Sequence, residues 1–214
     1  QNRLTAINYP GTSADTTFSY TPDGLLASLT ADSSTWSYSY NRLRLLTGET
    51  LGIDSQSFGF SRSYNSLGQQ TRQGYPVGTQ VAYTVNALGQ ITAISGYASG
   101  LSYHPDGTLA GLTLGNGVLR TQVQNTRGLP ARITAAKSGS TALIDEYYSY
   151  DGNGNVTAIS DGSGGGASRS LSWDGLDRLT QASGLWGNAS YAWDALDNLL
   201  SADQGSRQYR YRYD

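Results

Sequence analysis

"YYSYDGNGNVTAISDG", residues 147–162, places Tyr148 and Tyr150 two positions apart, then Asp151, a Gly/Asn cluster and an aliphatic run from Val156. A metal-binding loop, a glycine-rich phosphate cradle and one copy of a structural unit would all use such residues. The rest of the chain decides, because the stretch recurs. Related twelve-residue copies begin at residues 18, 38, 62, 83, 101, 122, 148, 171 and 191, among them "FSYTPDGLLASL" (18–29), "YTVNALGQITAI" (83–94) and "YAWDALDNLLSA" (191–202). The nine complete copies start 18 to 26 residues apart. A partial copy opens the chain at Asn2-Arg3-Leu4, and "YRYD" (211–214) begins another.

Four columns of the twelve carry the signal. The third is aromatic in seven copies: Tyr20, Tyr40, Tyr64, Tyr103, Tyr150, Trp173 and Trp193, with Val85 and Gln124 departing. Aromatic residues are 11% of the chain, so composition does not produce such a column. The fourth is Asp or Asn in seven copies, the seventh is Gly in six, and the ninth is Leu, Ile or Val in seven. Each column has a physical reason. Aromatic-x-aromatic spacing puts both rings on one face of a strand. The Asp or Asn folds its side chain onto backbone N–H groups ahead and opens a turn. Gly three residues later supplies a positive φ, which Asp177 and Asp197 tolerate at some cost and Arg44 poorly. The ninth column starts a return strand. One copy is therefore a β-hairpin with a four- or five-residue turn.

A lone hairpin is marginal in water, but side-by-side repetition pairs every inner edge. The expected fold is all-β: tandem hairpins in one continuous, antiparallel, twisted and spiralling sheet. Residues 1–214 form a single array of about nine complete copies, and rings and aliphatics stack in ladders worth roughly 0.2–1 kcal/mol per cross-strand pair. The Gly/Ser-rich "SDGSGGGAS" (160–168) reads as a loop between hairpins, since the period resumes after it.

Bulk properties exclude several classes of function. Charged residues are 14% of the chain and the net charge is −2, leaving no basic field for nucleic acid or an anionic membrane. No apolar stretch is long enough to span a bilayer. The absence of cysteine removes disulfides, thiolate metal sites and a Cys nucleophile. The opening "QNRLTAINYP" lacks the Met and apolar core of a signal peptide.

Candidate chemical sites resolve into turn residues. Asp151, Asn153 and Asn155 have calcium-loop spacing, but Val156 and Gly162 stand where such a loop needs Gly and Glu. His104, the lone histidine, occupies the turn column before Pro105, and a triad built on it would need partners from other copies. Glu49 and Glu146 are the only glutamates, and most of the 14 aspartates are turn residues, so a glycosidase pair has no support. "GSGGGAS" lacks the Lys-Ser/Thr of a phosphate loop, and Asn188 begins a short glycosylation sequon. The expectation is no catalytic, cofactor or metal residue, and no enzyme activity.

Tyr-Asp followed by Gly-x-Leu at a period near 21 resembles the YD repeats of the RHS (rearrangement hot spot) superfamily, which includes bacterial polymorphic toxins, the C components of insecticidal toxin complexes and the teneurins. "YSYDGNGNVTAISD" and "SWDGLDRLTQASG" lie close to the family pattern, whereas "YTVNALGQ" and "QVQNTRGL" keep only the Asn and Gly. The resemblance implies a sheet that spirals into a hollow shell around a C-terminal toxin domain. It also implies a plugging core with a self-cleaving aspartyl protease, of which this chain, with no Asp-Pro dipeptide, would lack the parts. Expected partners are the rest of the shell, its enclosed toxin, and secretion or toxin-complex components, in a bacterial protein that is secreted or displayed on the cell surface. The alternative is an adhesive or carbohydrate-binding module that stacks Tyr and Trp on sugars.

Overall fold

A computed structural model describes residues 2–11 and 13–213. All regular structure is β-strand, and the strands pack as two units, 1–97 and 98–214. The first unit holds β1 (Ala6–Ile7), β2 (Thr16–Tyr20), β3 (Leu26–Ala31), β4 (Ser34–Tyr40), β5 (Leu46–Ile53), β6 (Gln56–Tyr64), β7 (Gln70–Gly74), β8 (Gln80–Val85) and β9 (Ile91–Ile94). The second holds β10 (Ala98–Tyr103), β11 (Leu109–Leu114), β12 (Val118–Gln124), β13 (Pro130–Lys137), β14 (Ile144–Tyr150) and β15 (Val156–Asp161). It continues with β16 (Arg169–Trp173), β17 (Leu179–Gly184), β18 (Gly187–Trp193), β19 (Leu199–Gln204) and β20 (Arg207–Arg210). Within each unit every strand pairs antiparallel with its neighbours in sequence, so neither ribbon closes into a barrel.

The turn inside each copy has one backbone design. The fourth-column N–H donates to the eighth-column carbonyl, and the seventh-column N–H donates back to the fourth-column carbonyl, in all nine copies. All nine seventh-column residues have positive φ, from 60° at Asp177 to 99° at Gly154. This is a tight turn followed by a left-handed residue, which lets one strand carry an extra residue. The register shift after the second column in all nine hairpins records it, as between Ser149 and Tyr150.

Neither ribbon is covered by a second layer. Among the described residues the buried apolar set is Val81, Val118, Ala135, Ala182 and Ala189, mostly small side chains. The chain exposes 13806 Å². Two separate compact domains sharing its 22.8 kDa would expose about 11,500 Å². The surplus is the open sheet surface.

The two faces of that sheet differ chemically. On one face of β2 to β6, fourteen positions from Thr17 to Ser63 hold only Ser, Thr and Gly. Their hydroxyls meet across strands, as in Ser19 with Ser28 at 2.7 Å. The other face runs Phe18, Leu29, Trp36, Leu51, Phe58 directly across five strands. The sequence implies ladders of rings and aliphatics, and the register pairs them. The cross-strand partner of a ring is more often an aliphatic, as in Tyr148 opposite Ile159 and Tyr83 opposite Ile94. Successive third-column rings lie two strands apart, about 9–10 Å, with the return strand's aliphatics between them. Ring pairs within the units are Trp36–Tyr38 and Phe60–Tyr75, neither of which joins two third-column rings.

Candidate functional site

The third-column ring is positioned by its polar tip. Tyr40 donates its hydroxyl to the Leu26 carbonyl at 2.9 Å and Tyr64 donates to Leu46 at 2.7 Å. Tyr150 donates to Pro130 at 2.8 Å, and the Trp173 and Trp193 indoles donate to Val156 and Leu179, both at 2.8 Å. Every acceptor is the ninth-column residue of the preceding hairpin. The partial copies obey the same rule, with Tyr20 on Leu4 and Tyr213 on Leu199. These rungs tie hairpin to hairpin, a role that ring spacing alone did not reveal.

The turn edge is tied as well. Fourth-column Asn and Asp each accept from the N–H groups two and four residues on, as Asn65 does from Leu67 and Gln69, both at 3.0 Å. Thr21 accepts from Leu25, while at His104 the neighbouring Asp106 takes over and accepts the Thr108 N–H at 3.0 Å. Hydrogen bonds from the Thr108 hydroxyl, the Thr108 N–H and Gln124 hold Asp106 down to a pKa of about 2. The three copies without seventh-column Gly use the side chain to reach the preceding turn. Arg44 pairs with Asp23 at 3.4 Å, Asp177 accepts from Asn153 and Asn155 at 2.7 and 2.6 Å, and Asp197 pairs with Arg178 at 2.9 Å. The left-handed strain is offset there by an inter-turn contact.

The residues weighed for chemistry sit in these networks. Asp151 Oδ1 accepts three backbone N–H groups at 2.9–3.0 Å and its Oδ2 accepts from Asn155, so its lone pairs close the turn. Among the described residues no group of three His, Asp or Glu is placed to hold a metal ion. His104 Nε2 lies 2.9 Å from the Gln122 carbonyl. Glu49 pairs with Arg62 at 3.2 Å, and Glu146 pairs with Arg169 and accepts from Tyr148. Burial and that bond push the Tyr148 phenol up to about 12. The glycine-rich loop at 162–168 folds onto Asp161, whose carboxylate accepts from the Ser163 N–H at 2.8 Å and the Ala167 N–H at 2.9 Å. Asn188 is exposed on β18, opposite Ser183 and on the face that Ser170 and Ser190 share.

Two surface features escaped sequence reasoning. Five copies carry Leu in the sixth column, at the turn tip: Leu43, Leu67, Leu88, Leu176 and Leu196, each between 58% and 82% exposed. The column was legible as a recurrence, but no folding rule asks for Leu at a turn tip. The second is an open apolar recess of about 670 Å³ in the first unit, floored by Val81 and walled by Tyr75, Pro76, Val77, Tyr83 and Tyr97. Its turn, residues 75–79, repeats the backbone closure of the other nine with Tyr75 in place of the usual Asx.

No family model matches the sequence, and no curated protein matches it. Solved structures do match. In a crystal structure of TcdB2-TccC3, the likeness has a TM-score of 0.81 at 15% identity, over 97% of this chain and 14% of the other. A TcdB2-TccC3-Cdc42 crystal structure gives 0.79 at 15% identity over 98% and 14%. A Tc holotoxin pore of Photorhabdus luminescens gives 0.78 at 14% identity over 96% and 13%. At these identities the likeness establishes the fold, and this chain spans about one-seventh of the length of each chain it matches.

Proposed function

We propose that this chain is a stretch of wall from an RHS-type toxin shell, and that its work is to enclose and shield a C-terminal toxin domain rather than to catalyse a reaction. One observation carries the reading: a chain built of two units of single-layer sheet, each without a second layer over its faces, follows the fold of toxin-complex chains over 97% of its length. A sheet of this kind gains little from a core of its own and is suited to bounding a space. Its partners are then the rest of the same shell and the enclosed domain, in a protein exported by a bacterium. The third-column rings favour a wall over a sugar platform, because their donors are spent on the preceding hairpin.

Limited proteolysis of the product of the complete coding sequence tests this reading. Enclosure predicts a C-terminal domain that resists protease until denaturant opens the repeats. A product with no such domain, or with one digested at the rate of the isolated domain, overturns it.

A further inference from the structure

Four of the turns between copies are two residues long, and three of them follow turn chemistry. Asp32-Ser33 joins β3 to β4, Asp54-Ser55 joins β5 to β6, and Gly205-Ser206 joins β19 to β20. The fourth, Leu185-Trp186 between Gly184 and Gly187, is apolar. Nothing in the hairpin asks for an indole there. The chain's other three tryptophans are used by the fold. Trp173 and Trp193 donate to carbonyls of the preceding hairpin, and Trp36 stacks on Tyr38 at 6.4 Å. Among the described residues Trp186 makes neither kind of contact, and it is 47% exposed.

Its ring is nevertheless held in place. A Cβ on Gly184 would lie 2.7 Å from both Cη2 and Cζ3 of Trp186 and 3.0 Å from Cε3, so the indole rests on backbone that only glycine leaves bare. With Gln204, Gly205, Ser206 and Arg207 of the next turn on the same edge, the ring lines a cavity of about 260 Å³. Arg207 enters no ion pair among the described residues. The cavity therefore combines a flat apolar wall, an amide, a hydroxyl and an unpaired guanidinium. We propose that this gap between two turns binds a carboxylate-bearing sugar, a hexuronic acid unit of an acidic glycan. The C–H face of the pyranose stacks on the indole, the guanidinium takes the carboxylate in two parallel hydrogen bonds, and Gln204 and Ser206 meet ring hydroxyls. A lipid surface would call for a ring that projects from the turn, whereas this one is laid back on Gly184. The criterion that sets aside the third-column rings, donors already spent, selects Trp186. The site does not depend on whether the ribbon encloses anything.

Isothermal titration of the 214-residue chain with trigalacturonic acid, up to about 10 mM, tests the site, with neutral maltotriose and phosphatidylglycerol vesicles as comparators. Wild type should bind trigalacturonic acid saturably and about tenfold or more tighter than maltotriose, and the difference should shrink as salt rises. Trp186→Ala should weaken binding of the acid about tenfold or more. Arg207→Gln should abolish the preference for the acid and leave maltotriose binding unchanged. Gly184→Ala dislodges the ring without removing any group that meets the sugar, and should weaken binding severalfold. Each variant should keep the far-ultraviolet circular dichroism of the parent. No saturable binding, equal binding of the two trisaccharides, or binding indifferent to Trp186→Ala or to Gly184→Ala each overturns the proposal. Vesicle binding that Trp186→Ala removes, with no binding of the acid, overturns it as well and assigns the turn to a lipid surface. Protease protection of an enclosed domain is a separate readout, so failure of one claim does not mask failure of the other.

Discussion

Tyr150→Phe isolates the rung between hairpins. The substitution keeps the half-buried ring opposite Val156 and deletes only the hydroxyl that donates to Pro130 at 2.8 Å. A hydrogen bond of this kind contributes roughly 0.5–1.5 kcal/mol net, and a half-buried carbonyl left short of its partner adds to the loss. The expected cost is about 1–2 kcal/mol, or a fall in Tm of about 2–8 °C for a chain of this size. Hydrogen exchange should locate the effect at the seam of β13 and β14, because in a repeat array each unit leans only on its neighbours. Tyr147→Phe is the control. Its ring lies on the opposite face under the Arg132 guanidinium, 4.6 Å from the centroid, and its hydroxyl makes no such rung. It should change stability by less than about 0.5 kcal/mol. A Tyr150→Phe protein as stable as wild type, or an equal cost at Tyr147, would refute the rung as the tie between hairpins.

Gly154→Val should cost about 1–3 kcal/mol by denaturant titration. An added Cβ finds room there, 3.4 Å from Arg127, so the penalty comes from a φ of 99°, beyond the 60–65° that Arg44, Asp177 and Asp197 adopt. His104→Asn should shift stability by less than about 1 kcal/mol, since Asp106 already holds the Thr108 N–H and only the contact with Gln122 is lost; a larger change by the same titration would assign His104 a further role. Acid should act on the second unit first. Asp174 is held below the usual carboxylate range by hydrogen bonds from Arg178, and Asp194 by those from Asn198; both therefore stabilise above the unfolded value and lose that contribution as pH falls through the folded one. In the first unit the turn column is Thr21, Asn41, Asn65 and Asn86, which do not titrate. Pepsin between about pH 4 and 2 should nick residues 98–214 before 1–97, and the reverse order would refute the linkage.

Much of the hairpin was readable from residue types because its rules are local. Asx at the fourth column and Gly at the seventh need only their own turn to make sense, and all nine turns close as those columns imply. The ring column was read correctly in position and incompletely in role. Its rings are Tyr or Trp in every aromatic case, never Phe, although Phe18 stands two residues from Tyr20. That exclusion of the one ring without a donor pointed to a hydrogen bond, but its acceptor lies in another hairpin and only the register reveals it. The non-Gly seventh column read as cost alone, because the compensation at Asp177 comes from Asn153 and Asn155 more than twenty residues away. The recess was beyond reach for the same reason: Tyr75, Tyr83 and Tyr97 converge through strand pairing that no column records.

The ties explain how so little sequence can be shared with chains of the same fold. Strand pairing, turn closure and the rung acceptors are backbone groups, which every residue supplies. Side chains are constrained only where a donor must reach a carbonyl, where an Asx must cap a turn, where φ must be positive and where the return strand meets a ring. Those are four columns in a period near 21, and even they admit exchange: Trp173 replaces Tyr, His104 yields its task to Asp106, Asp197 replaces Gly. A fold specified this sparsely allows identity to fall toward the fraction of constrained positions without losing its register. The 15% identity at a TM-score of 0.81 lies near that floor.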